Sequence, residues 1–200
     1  MTRKFAFSTA LALVLASAQS VMAQNPPNDL IRFLLKRSAT AVATGCLPDA
    51  SATVSVKSFG EVEIMSVEAQ GLPPNTGFDL FVIQLPSAPF GLSWYQGDME
   101  TNHDGRAQGT FIGRFSEETF IVAPGVGSAP MVHNSDATTN PATGPIHTAH
   151  IGLWFNSPVD AAAAGCGGAV TPFNGEHNAG VQALSTAHFP ANQGPLLRLK

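Results

Sequence analysis

From residue 52 to residue 58 apolar and polar side chains alternate, with Ala52, Val54 and Val56 set against Thr53, Ser55 and Lys57. A period of two sorts side chains onto the two faces of a strand, whereas a helix repeats its faces every 3.6 residues. Residues 61–69 continue the alternation, which makes Phe59 and Gly60 a turn or bulge between two strands. Pro73 and Pro74 lie between Gly71 and Gly77 in a turn, because proline presets φ and glycine tolerates positive φ. Residues 78–85 then form an apolar strand rich in aromatic and β-branched side chains.

Residues 92–99 and 107–115 read as a strand pair around Asp104-Gly105, a strong hairpin signal. Residues 151–155 add a further strand, and residues 181–184 and 196–199 supply closing strands. The 19 glycines and 15 prolines suit many short strands joined by turns better than a helical bundle. The expected fold is a single all-β domain over residues 51–200, a two-layer antiparallel β-sandwich, with a jelly roll or incomplete barrel as the alternative. Residues 24–50 are expected to hold a short N-terminal helix and a linker. Asn28 or Asp29 would cap that helix, with Lys36 and Arg37 in its last turn.

The first 23 residues have the pattern of a signal peptide. Arg3 and Lys4 precede an apolar run, and Val21 and Ala23 are the small residues a signal peptidase accepts before Gln24. The run is shorter than the roughly 20 apolar residues of a bilayer span, and no later segment is long enough. Secretion or a periplasmic location is therefore expected, with no transmembrane segment in the mature chain. The formal charge of −4 falls further once Arg3 and Lys4 are removed, which gives no footing for nucleic acid or an anionic membrane. Cys46 and Cys166 are the two cysteines of the chain, and an oxidising compartment lets them pair. Neither belongs to a C-x-x-C pair, so structural zinc is the weaker reading.

Residues 123–146 are rich in Gly, Pro, Ser, Thr and Asn and carry no apolar period. A loop of this size within a compact domain is uncommon and is either functional or a mobile, tolerated insertion; if recognition exists, residues 123–148, with Trp154 beside them, are its expected edge. The Gly71–Thr76 turn before an apolar strand and the later Thr101–Gly105 hairpin resemble uncharacterised bacterial exported proteins with immunoglobulin-like β-sandwich domains. The resemblance covers roughly residues 50–122, and residues 150–156 and 171–177 are similar to the C-terminal half of such a family. It implies an architecture and carries over no functional residue.

Six histidines raise the possibility of a metal site built from His133, His147, His150, His177 and His188, against surface and capping roles for the same residues. His147 and His150, three apart, point to opposite faces in a strand and would converge only around a turn. His150, Gly152 and Trp154 are expected on one face of their strand, with Ile151, Leu153 and Phe155 in the core. No G-x-S-x-G elbow or H-E-x-x-H pair is present, so no catalytic residue is assigned. Trp94, Tyr95 and Trp154 are candidate ligand-stacking residues, although ordinary packing explains the same rings. Alternation sends Trp94 and Tyr95 to opposite faces, so at most one of them enters the core. The function expected is an exported, non-enzymatic binding or envelope-associated module whose partner is an extracytoplasmic protein or glycan, without a cofactor. The alternative is a metal-binding protein or metal-dependent enzyme using zinc or copper at the C-terminal histidines.

Overall fold

The computed structural model describes residues 29–115, 118–121, 143–146, 148–171 and 178–199. Residues 1–23, expected to be a signal peptide, lie outside these residues. Eight strands form one antiparallel sheet: β1 (Leu30–Arg37), β2 (Ser51–Ser58), β3 (Glu63–Gln70), β4 (Gly77–Ile83), β5 (Ser93–Glu100), β6 (Ala107–Gly113), β9 (His150–Phe155) and β10 (Gln182–Ser185). Their spatial order is β5-β4-β9-β10-β1-β2-β3-β6. The two remaining strands, β7 (Glu118–Ile121) and β8 (Thr143–Ile146), pair only with each other.

The segment expected to be an N-terminal helix is strand β1. Ile31, Phe33 and Leu35 are buried, while Leu30, Arg32 and Leu34 point outward, a strict period of two. Its composition misleads because Ile31, Leu34 and Leu35 also match helical spacing and two leucines sit on the outer face. Tertiary partners decide the outcome. Leu30–Leu35 pairs with β2, and Lys36 and Arg37 pair with β10, which leaves the backbone groups no reason to close helical bonds. The first helix comes directly afterwards as α1 (Ala39–Thr44), with the Ser38 side chain accepting from Ala41 N–H and Gly45 in the left-handed region at its end.

Because β1 changes partner along its length, all eight strands belong to one hydrogen-bonded series. The sheet is barrel-like, and its order does not show the expected two-layer sandwich. The terminal strands β5 and β6 approach where Gly97 faces the Phe111 ring; a Cβ at Gly97 would lie 2.9 Å from that ring. Glycine at this position lets the two edges come together.

The closing end is tied by two turns that the sequence marks separately. Leu72 N–H donates to Gly105 O, Asn75 N–H to Asn102 O, and Thr101 N–H to Thr76 O, at 3.2, 3.3 and 3.0 Å. The Thr101 hydroxyl accepts from Thr76 N–H and donates to Pro73 O. Asn102 Oδ1 accepts from the N–H groups of Asp104 and Arg106, so its side chain organises the hairpin. Gly105 has φ of 70°, and a Cβ there would lie 2.1 Å from Leu72 O. Glycine is thus required by both the backbone conformation and the neighbouring turn.

Inside the sheet lie Phe78, Leu80, Ile151, Leu153 and Phe155 with Leu35, Met65 and Leu184. The end of the chain forms a 3-10 turn, Pro195–Arg198, where a closing strand was expected over 196–199. It buries Leu196, whose N–H donates to Ala149 O. The start of the small-residue segment 161–168 continues the helix α2 (Pro158–Ala163), capped by Ser157. The long unpatterned segment also carries structure at its end, since β8 pairs with β7 in the register Glu118↔Ile146 to Ile121↔Thr143. Thr143-Gly144-Pro145-Ile146 has no alternation to announce a strand, and a two-stranded ribbon tolerates its proline. Most of the expected recognition loop lies outside the described residues.

Cys46 and Cys166 are bonded, with Cα atoms 5.2 Å apart. The bond links the segments following α1 and α2, and so the connection after β1 to the connection after β9. Alkylation of the unreduced protein should find no free thiol, and Cys46→Ser should lower the thermal midpoint. The loop closed by the bond spans 120 residues. Chain entropy sets an upper bound of about 5 kcal/mol on the loss. Two alkylated cysteines in the native protein, or an unchanged midpoint, would contradict this.

Candidate functional site

Strands β4 and β9 are buried on both faces, so they bear a second set of contacts outside the main core. Along β9, Ile151, Leu153 and Phe155 face the interior, and His150, Gly152 and Trp154 share the outer face, as the sequence leads one to expect. On that outer face Phe81 and Ile83 of β4 pack with Trp154 and Ala179, and Phe90 covers them from the connection between β4 and β5. The Phe81 and Phe90 rings meet Trp154 edge-on, with centroids 5.3 and 5.0 Å away. Such T-shaped contacts hold the indole in one orientation.

Gly152 makes that orientation possible. A Cβ at this position would lie 2.3 Å from Trp154 Cζ3 and 2.5 Å from Gln182 Nε2, so the indole and the amide both occupy the space above the glycine. Gln182 is the cross-strand partner of Trp154 on β10, and Asp79 is its partner on β4. Asp79 is fully buried, and Gln182 is 8% exposed. Sequence reasoning did not single out Gln182, because Gln182–Ser185 is a short strand whose burial on both faces depends on neighbours far away in the chain.

Beside this cluster runs a groove of about 300 Å³. Trp154, Phe90 and Val181 form its apolar wall, Thr40, Ser87, Thr171 and Gln182 add hydroxyl and amide groups, and none of the described lining residues is charged. An apolar concavity with a few convergent polar groups is the usual form of a small-molecule site, and this volume lies at the lower end of the range for such sites. Helix α1 supplies one rim through Ala39 and Thr40, so the cap at Ser38 also positions the groove. The Ser38 hydroxyl donates to Gln182 O at 2.5 Å, which joins that cap to the strand carrying the amide.

The three aromatic candidates are only partly brought together. Trp154 is 4% exposed and belongs to the cluster, whereas Trp94 and Tyr95 are 49% and 37% exposed on β5, with neither in the core. A register shift between Leu80 and Phe81 places Tyr95 opposite Phe81, at a ring separation of 5.6 Å, and the Tyr95 hydroxyl donates to Asp98 Oδ1. Tyr95 therefore extends the aromatic row outward through Phe81. Trp94 pairs with Val82 and does not line the groove.

Of the five candidate metal ligands, His133, His147 and His177 lie outside the described residues. His150 is fully buried, with Nδ1 3.0 Å from Thr186 Oγ1 and Nε2 donating to Ala191 O at 3.0 Å. Both of its ring nitrogens are engaged in holding the C-terminal segment to β9. His188 is exposed and stacks on Phe189 at 4.4 Å. Partial burial and, to a smaller extent, the nearby Lys36 ammonium lower its pKa below the usual 6.5. Among the described residues no group of three or more His, Cys, Asp or Glu side chains is arranged to hold a metal. No helix among them is long and apolar enough to cross a membrane.

Comparison of the chain with family profiles, with curated proteins and with solved structures finds no significant match.

Two measurements test this description. Gly152→Ala should displace the Trp154 ring, shift its emission to longer wavelength and cost about 1–3 kcal/mol through overpacking; an unchanged spectrum and stability would contradict the stacking above Gly152. For His188, the folded state favours the neutral ring. Its contribution to stability is present above pH 6.5 and falls away as pH drops through the lowered pKa. An NMR titration should place the His188 midpoint below 6.5, and Lys36→Gln should recover the smaller part of the shift. A midpoint at or above 6.5 would contradict it.

Proposed function

We propose that the protein is an exported, non-enzymatic binding module that takes a small, uncharged ligand in the groove beside Trp154. The observation that carries this reading is an open concavity whose described lining residues are uncharged, set against an indole held by two aromatic neighbours. A rigid aromatic wall contributes contact area without a large entropic cost of ordering, and uncharged walls give an ion no compensation for its lost hydration. The leader pattern of residues 1–23 and the Cys46–Cys166 bond support an extracytoplasmic setting. The natural ligand in that setting is a free neutral molecule or the end of a glycan.

The test uses Trp154 as its own reporter. The chain has two tryptophans, so Trp94→Phe leaves a single indole at the groove wall. Titration with neutral probes of one-ring size, toluene and methyl pyranosides among them, should give a saturable change in emission and raise the thermal midpoint. Ala39→Phe, which narrows the groove from its exposed rim, should abolish both effects while the protein stays folded. Absence of saturable binding, or binding that Ala39→Phe leaves unaltered, would overturn the assignment.

A further inference from the structure

We infer that Gln182 is the specificity-determining residue of the groove and that the ligand is a neutral saccharide whose oxygen accepts a hydrogen bond from its amide. This rests on the groove being the binding site. Gln182 Nε2 is buried and meets no acceptor among the described residues, although the side chain forms part of the groove wall. A carboxamide nitrogen carries two N–H donors, and leaving both unmade in a buried position costs free energy that native folds rarely retain without a purpose. A leucine or methionine would fill the same volume without that penalty.

The surroundings narrow the chemistry of what relieves it. With no charged side chain in the wall among the described residues, a carboxylate or phosphate would find no counter-charge there for its desolvation. A neutral oxygen meets no such cost. The half-buried ring of Phe90, with the small part of the Trp154 indole that lines the groove, offers apolar surface to the C–H groups of a sugar ring, and the hydroxyls of Thr40, Ser87 and Thr171 can each donate or accept at its edge. The terminal torsion of glutamine is broad, so a small rotation brings its N–H groups from the space above Gly152 to the ligand.

The experiment compares the protein with Gln182→Leu, and with Gln182→Met as the variant that retains side-chain length, using calorimetric titration. The probes are the methyl pyranosides of glucose, galactose and mannose, with toluene as a ring of similar size lacking an acceptor. At least one pyranoside should bind the parent protein and bind each folded variant about 3- to 10-fold more weakly, the loss expected for one neutral hydrogen bond. Toluene should bind parent and variants alike, and the ligand-free variants should melt no lower than the parent because no made hydrogen bond of the amide nitrogen is lost. Equal pyranoside affinity in parent and variants would overturn the role of Gln182, as would toluene binding in the groove with no pyranoside binding. The latter result leaves the binding site standing, whereas failure of every probe to bind in an Ala39→Phe-sensitive manner removes the site itself.

Discussion

The division of β1 between two partners is the constraint on which the architecture rests. Six of its residues extend the series that runs through β2, β3 and β6, and its last two begin the series through β10, β9, β4 and β5. A strand that served only one neighbour would leave two separate sheets, each with more exposed edge. By continuing across both, β1 makes a single curved sheet whose inner face encloses the core. Its inward residues Ile31, Phe33 and Leu35 are correspondingly buried at 3%, 6% and 0% exposure.

The opposite side of the barrel-like sheet is held by complementary means. The edges of β5 and β6 approach at Gly97 and Phe111, and the turns at 71–76 and 101–106 hydrogen-bond across one end. This arrangement protects edge strands that would otherwise be open to pairing with another chain. The disulfide acts on a different pair of connections, tying the segment after α1 to the segment after α2. Since α1 also forms a rim of the groove, the elements that close the fold and those that shape the candidate site are mechanically joined. The Ser38 cap, bonded both to Ala41 N–H and to Gln182 O, is the most direct of these links.

Alternation around Val54 and Val67 and apolar β-branched or aromatic runs around Phe81 and Leu153 were dependable guides, since all four segments form strands, and Asp104-Gly105 forms the turn between β5 and β6. Where local pattern admitted two readings, distant partners chose: Leu30–Arg37 became a strand by pairing with β2 and β10, and residues 143–146 became one by pairing with β7. The closing strand expected over 196–199 is a 3-10 turn instead, because the carbonyl that accepts Leu196 N–H belongs to Ala149, far away in the chain. At the site, Trp154 was legible as a conspicuous ring on a strand face. Gln182 was not, since nothing in Val181-Gln182-Ala183-Leu184 distinguishes a solvent-facing amide from one buried against an indole.

By itself the sequence determined the strand-rich composition, the faces of β2, β3 and β9, and the turns, because each depends on residues close together in the chain. It also presented two cysteines and no competing thiol motif, which made one pairing the simplest outcome. Only tertiary structure decided that eight strands share one barrel-like sheet, that β4 and β9 are covered on both faces, and that His150 spends both nitrogens on structure. It likewise decided that Trp154, Phe90 and Gln182 meet at a groove. The physical reason is separation: these residues lie 28 to 92 positions apart, and their juxtaposition follows from the register of β9 against β4 and β10, which no local periodicity encodes.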